Sequence, residues 1–151
     1  MTDTDVRDLV LDRRLGRLAA ELAGVDGMRI WLDQALIKEP WSSPTAFHVD
    51  NPFWSFRRFD VYPELGSSAP VFCPVPAGSA VAHNGLTAHG AGANMTNGRR
   101  FAMTVAYMPD GATFNGQQDI LTREQVARLK VGDPLDDEAQ NPLVFTRSPA
   151  R

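Results

Sequence analysis

The chain is poor in cysteine, in histidine and in surplus charge, and it has no long apolar run. Cys73 is the single cysteine in 151 residues, which excludes an intrachain disulfide and a thiolate zinc cluster. Set beside Val71 and Phe72, it is expected as a small buried apolar residue. The formal net charge is -3, so there is no basic field for nucleic acid or an anionic membrane. The arginines are scattered apart from the pairs Arg13-Arg14, Arg57-Arg58 and Arg99-Arg100, and neither nucleic acid nor membrane is an expected partner. No run of about 18 apolar residues occurs. The acidic start, Met1-Thr2-Asp3-Thr4-Asp5, lacks the basic and apolar regions of a signal peptide, and a cytoplasmic location is expected. With no repeat, linker or low-complexity segment, one domain over residues 1–151 is expected.

What is present begins with a glycine-bearing stretch, Ala82 to Met103. Gly90-Ala91-Gly92 opens like the dinucleotide fingerprint G-x-G-x-x-G, but the last glycine position holds Met95. That fingerprint also needs a helix at the glycines, whereas the strand-like run Phe101–Tyr107 follows. Upstream, Asp12 precedes Leu15, Leu18, Ala19 and Leu22 on one helical face, and Gly24 sits at a helix C-terminus. Met28, Ile30 and Leu32 then alternate with Arg29, Trp31 and Asp33, the period of a strand with one buried face. Thr45 to Asp50 reads as extended. Prolines 63, 70, 74 and 76 exclude a helix between Pro63 and Gly78, and short strands are expected at Ser79–His83 and Phe101–Tyr107. Thr122-Arg123-Glu124-Gln125 is a capping box opening a short helix. The centre therefore reads as all-β, with helices at both ends.

Phe47-His48-Val49-Asp50 sets an imidazole and a carboxylate two residues apart, a spacing that on a strand points both to one face. With a distant histidine they make two nitrogens and one oxygen, the facial triad of non-haem Fe(II) oxygenases, which leaves adjacent coordination positions open. His89 is the candidate third ligand. Eleven positions later Arg100 opens a strand on whose side stand Ala102, Thr104 and Ala106, while Phe101, Met103, Val105 and Tyr107 occupy the other. The small side leaves room for a ligand, and a guanidinium there suits a carboxylate through two parallel hydrogen bonds. His83 is read as a hydrogen-bonded packing residue at the site wall rather than a ligand, because the Asn84-Gly85 turn separates it from His89. Trp31, Trp41 and Trp54 are read as packing residues, and Asp136-Asp137-Glu138 as a solvated acidic turn.

The segment from His89 through Asn94 to Arg100 resembles the distal-histidine motif of the phytanoyl-CoA dioxygenase family. Asp33–Pro40 followed by His48-Val49-Asp50 is similar to that family's lysine-proline strand leading into H-x-D. Asn51–Trp54 resembles the stretch after H-x-D, and Val61–Leu65 the approach to the distal histidine. The resemblance implies a mainly β, antiparallel double-stranded β-helix of the jelly-roll, cupin-like kind with flanking helices. It implies Fe(II) held by His48, Asp50 and His89, and 2-oxoglutarate held by Arg100, with Lys38 and Asn94 as further cosubstrate contacts. No catalytic residue beyond the metal centre is implied. The reaction would be hydroxylation of a small organic substrate by O2 with release of succinate and CO2, and Asp50 favours it over halogenation. A non-catalytic metal- or small-acid-binding relative and a cupin-type lyase or isomerase are the alternatives. The span from Asp50 to His89 is shorter than the family's, so a reduced strand number, an open sheet edge and a homodimer covering it are expected.

Overall fold

The computed structural model describes residues 3–50 and 69–147. The expectations on Trp54, on Asn51–Trp54 and on Val61–Leu65 lie outside them. In chain order the elements are α1 (Thr4–Val10), α2 (Arg13–Ala23), β1 (Gly27–Lys38), β2 (Thr45–His48), β3 (His89–Ala91), β4 (Arg100–Pro109), α3 (Arg123–Val126) and β5 (Leu143–Thr146). The strands form two antiparallel sheets, one ordered β4-β1-β5 and the other pairing β2 with β3. This is the mainly β, antiparallel jelly-roll architecture expected, with helices at the ends.

Asp12 caps α2 as its position suggested, accepting from the Arg14 backbone N–H at 2.8 Å. The Arg14 side chain also donates to it, and these hydrogen bonds pull the Asp12 carboxyl down to about 2. Gly24 ends the helix in the left-handed region, φ 68°, where a side chain is disfavoured. The buried face differs from the expected leucine stripe. Gly16 and Ala20 are buried, whereas Leu18 and Leu22 are exposed. The reason is close approach: a Cβ at Gly16 would lie 2.7 Å from Val144 Cγ1 and 3.0 Å from Phe145 Cβ, so small residues let α2 settle on β5. Met28, Phe145 and Ala20 pack together there, while Val10 of α1 meets Ile30 and Val144.

β1 was expected to bury one face, and it buries both at its start. Met28, Ile30, Arg29 and Trp31 are all inaccessible. Its register with β4 shifts between Ile30, opposite Tyr107, and Leu32, opposite Ala106. The extra residue, Trp31, makes a bulge that reverses the alternation, and Leu32 joins Trp31 in the core on the far side. That core holds Met108 with Phe114, Leu121 and Leu135 from the irregular C-terminal segment. Trp31 Nε1 donates to Asp119 at 2.9 Å.

Arg29, inside the same layer, donates from Nε to Asp110 at 2.6 Å and from Nη1 to Glu138 at 2.7 Å and to the Asn141 carbonyl at 3.0 Å. Asp136, Asp137 and Glu138 are exposed, as expected of a solvated turn, but Glu138 also ties that turn to Arg29, which holds its carboxyl below the usual carboxylate range. The bonded partner removes the solvation cost of a buried guanidinium.

α3 has the expected capping box, Thr122 with Gln125. Ser79–His83, expected as a strand, is irregular and exposed. Cys73, expected to be buried, is exposed along with Val71 and Phe72. Pro70, Pro74 and Pro76 lack the N–H groups that would pair this segment with a ladder, so it is not drawn into a sheet.

Candidate metal centre

Burial declines along β1 and β4 toward Lys38 and Arg100, and from that end the chain passes to the β2–β3 ribbon. Thr45 faces Ala91 in this ribbon, and a regular register would set Phe47 opposite His89. A shift between Thr45 and His48 inserts one residue, and His48 becomes the partner of His89. A bulge that re-aims one side chain is a common device beside a site. Gly90 permits it. A Cβ there would sit 2.9 Å from the Thr45 carbonyl oxygen and 3.3 Å from that of Ala46, so any other residue would push the strands apart.

Asp50, two residues beyond β2, completes the group. Its Oδ1 lies 3.5 Å from His48 Nε2 and its Oδ2 lies 3.7 Å from His89 Nε2. One ligand atom from each of the three residues lies within 4.8 Å of the other two. Each imidazole is oriented by its other nitrogen. His48 Nδ1 donates to the Ala46 carbonyl at 2.8 Å, and His89 Nδ1 donates to the Thr87 carbonyl at 3.0 Å. A carbonyl only accepts, so each neutral ring carries its proton on Nδ1 and presents a lone pair at Nε2, the tautomer a metal ligand requires. The two imidazole–carboxylate distances are within the roughly 4 Å that donors about 2.1 Å from one ion can span. The donor set therefore fits a divalent metal such as iron. The side chains of His48, Asp50 and His89 remain 40%, 29% and 29% exposed, so a face toward solvent stays open.

Lys38 and Arg100 are cross-strand partners at the end of the β1–β4 ladder. They share a sheet face with the pairs Leu36–Ala102, Gln34–Thr104 and Leu32–Ala106, the small-residue side of β4. Lys38 Nζ donates to the Ser43 carbonyl at 2.7 Å, and Arg100 Nη2 to the Gly92 carbonyl at 3.2 Å. Since Gly92 directly follows β3, the guanidinium meets the backbone three residues past His89. Arg99 turns elsewhere and pairs with Glu39 at 3.0 Å.

Asn94 has a different setting from the one the resemblance implied. It is 3% exposed, and its amide nitrogen is shared among the carbonyls of Lys38 at 3.1 Å, Glu39 at 3.0 Å and Gly98 at 2.7 Å. Its oxygen accepts from the Thr96 hydroxyl at 2.8 Å, and its backbone N–H donates to Ser42 at 3.1 Å. The side chain is thus occupied with main chain, and it staples the β3–β4 loop to the β1–β2 connection. This staple brings the Lys38–Arg100 end beside the histidine ribbon.

His83 is not among the clustered ligand atoms, in keeping with its reading as a wall residue. The intervening turn does not separate the rings, however: the His83 and His89 centroids are 4.3 Å apart. The sequence reading missed Gly90, the β2 bulge and the stapling role of Asn94. Gly90 carried a signal, since it directly follows a candidate ligand, but the backbone it must clear belongs to β2 and is invisible to local pattern.

Residues 56–102 match the family model described as phytanoyl-CoA dioxygenase (PhyH). No curated protein matches the chain. Among solved structures, the non-heme alpha ketoglutarate dependent carbocyclase SnoK from nogalamycin biosynthesis is 26% identical, over 94% of this chain and 72% of that one, with a TM-score of 0.79. The non-heme alpha ketoglutarate dependent epimerase SnoN from the same biosynthesis is 23% identical over 99% and 74%, with a TM-score of 0.83. A SnoN complex with Fe3+, alpha ketoglutarate and nogalamycin RO aligns at 22% identity over 94% and 74%, with a TM-score of 0.76. The matched segment and the shared fold bear out the resemblance to the phytanoyl-CoA dioxygenase family that the ordered motifs implied.

Proposed function

We propose that this chain is an Fe(II)- and 2-oxoglutarate-dependent oxygenase that hydroxylates a small organic substrate. The observation that carries the reading is the convergence of His48, Asp50 and His89, with both imidazoles held in the ligand tautomer by backbone carbonyls. Iron, when bound there, would supply the O2 chemistry that couples conversion of 2-oxoglutarate to succinate and CO2 with oxidation of the substrate. Arg100 binds the far carboxylate of 2-oxoglutarate, and Lys38 adds a second positive charge beside it. Two like charges directly across a ladder are unfavourable alone, and an anion between them relieves that. Asn94 acts on this site by holding the loop from which Arg100 emerges.

The related enzymes SnoK and SnoN are a carbocyclase and an epimerase, so the shared architecture supports more than one outcome. Asp50 occupies the position that a halide would need, which favours hydroxylation over halogenation. The exposure of the three ligands favours one further reading, a metal- and small-acid-binding protein that does not couple to a substrate, since a closed site is what prevents side reactions. Anaerobic titration with Fe(II) and then 2-oxoglutarate distinguishes these. A weak metal-to-ligand charge-transfer band in the visible red supports the oxygenase, metal binding without it favours the binding protein, and no metal binding overturns both.

A second copy of the chain is the proposed partner. β4 lies at an edge of its sheet among the described residues and carries an exposed Phe101, and edge pairing would cover it. Sedimentation showing a monomer at high micromolar concentration would reject this pairing.

A further inference from the structure

We infer that His83 is a positioning residue for the metal centre, acting by ring packing on His89 and not as a ligand. The inference rests on the proposed metal site at His48, Asp50 and His89. His89 belongs to a strand of only three residues, His89–Ala91, whose partner β2 has four. A two-stranded ribbon of this length has little stability of its own, so the orientation of the His89 ring depends on what surrounds it. Among the described residues the ring has two aromatic neighbours: His48 with centroids 4.4 Å apart and an interplanar angle of 51°, and His83 at 4.3 Å and 40°. Both separations lie just under the roughly 4.5–7 Å of favourable tilted or offset aromatic pairs, so the rings are in direct contact.

The Asn84–Thr87 turn builds the contact. The Asn84 carbonyl accepts from Thr87 N–H at 3.0 Å and from His83 Nδ1 at 3.1 Å. The Asn84 side-chain oxygen accepts from Leu86 N–H at 3.0 Å and from the Thr87 hydroxyl at 3.1 Å. The same turn therefore fixes the His83 ring and the Thr87 carbonyl, and that carbonyl receives the His89 Nδ1 proton. His83 and the tautomer-setting bond of His89 are two outputs of one structure. Among the described residues His83 contributes no ligand atom to the cluster, and its ring contact with His89 is the means of action inferred.

The test uses Co(II) as an anaerobic probe of the full chain, reading both affinity and the visible d–d spectrum, with far-UV circular dichroism as a check on folding. His83→Ala is expected to weaken Co(II) binding about 10-fold, the scale seen when groups supporting a ligand are removed, and to change the spectrum. His83→Phe keeps a flat ring and is expected to restore affinity to within about twofold and to return the spectrum to that of the parent. Parent-like affinity and spectrum in His83→Ala would overturn the inference while leaving the metal site intact. A His83→Phe protein as weak as His83→Ala would also overturn it, since a nitrogen rather than the ring would then be required. Failure of the parent to bind Co(II) would instead remove the metal-site reading, and this inference with it.

Discussion

Lys38 and Arg100 stand directly opposite each other where β1 and β4 end, two cations on one sheet face beside the ribbon that carries His48 and His89. Among the described residues each long side chain has one carbonyl contact, Ser43 for Lys38 and Gly92 for Arg100, and their remaining donors are available there to a ligand. The arrangement separates Arg100 from its neighbour Arg99, whose Nε is committed to Glu39.

Arg100→Lys is therefore expected to weaken 2-oxoglutarate binding by roughly one to two orders of magnitude, through loss of charge-assisted hydrogen bonds contributing about 1.5–3 kcal/mol. Arg99→Lys should change it by less than about twofold, because an exposed ion pair contributes little. Calorimetric titration of the metal-loaded protein measures both, and equal effects would remove the basis for assigning Arg100.

Asp50 bridges the two histidines, with an oxygen toward each. Asp50→Ala is expected to reduce Fe(II) affinity by about 10-fold or more, since losing a ligand exceeds the effect of losing a group that merely supports one. Iron retention equal to the parent's after anaerobic dialysis would refute the triad.

The close approach at Gly90 gives a test of the ribbon separate from ligand chemistry. Gly90→Ala places a methyl 2.9 Å from the Thr45 carbonyl, so it should move β3 off β2 and lower metal affinity with all three ligands present. Gly92→Ala, whose added Cβ would meet nothing within 4 Å, serves as the control. Equal metal affinity in the two variants would show that the site does not depend on the bulged register.

Gly16→Val should destabilise the fold by about 1–3 kcal/mol, the usual cost of overpacking, because even a Cβ meets Val144 at 2.7 Å. Denaturant unfolding reads this, and an unchanged midpoint would contradict the close seating of α2 on β5.

Tyr107 donates from its hydroxyl to the Val10 carbonyl at 3.1 Å. Burial, reinforced by the Asp12 carboxylate, pushes its pKa up from 10.0 to about 12. The folded state thus favours the neutral phenol. Its contribution is fully present below about pH 10 and is lost as pH rises toward 12. Stability should fall across that window in the parent and more gently in Tyr107→Phe. Parallel stability–pH curves above pH 10 would show that Tyr107 is not responsible.

The sequence by itself determined the local devices: the Asp12 and Gly24 caps of α2, the Thr122–Gln125 capping box, the strand character of β1 and β4, and the chemistry of H-x-D with a distant histidine and arginine. These are legible because their causes lie within a few residues, in capping groups, side-chain period and donor type. Tertiary structure alone decided the rest. The alternation of β1 could not show that helices cover one face and the Phe114–Leu135 segment the other, so it set Arg29 on an open side. The leucines of α2 outweighed Gly16 and Ala20 by hydrophobicity, but the distance of closest approach to β5 chose the small residues. Asn94 was read for its match to a motif, whereas its burial between two connections commits it to the backbone of both. Most of all, the register that places His48 opposite His89 depends on one inserted residue in β2 and one missing Cβ in β3. Neither strand's sequence contains that relationship, because a bulge is a property of two paired backbones and not of either one alone.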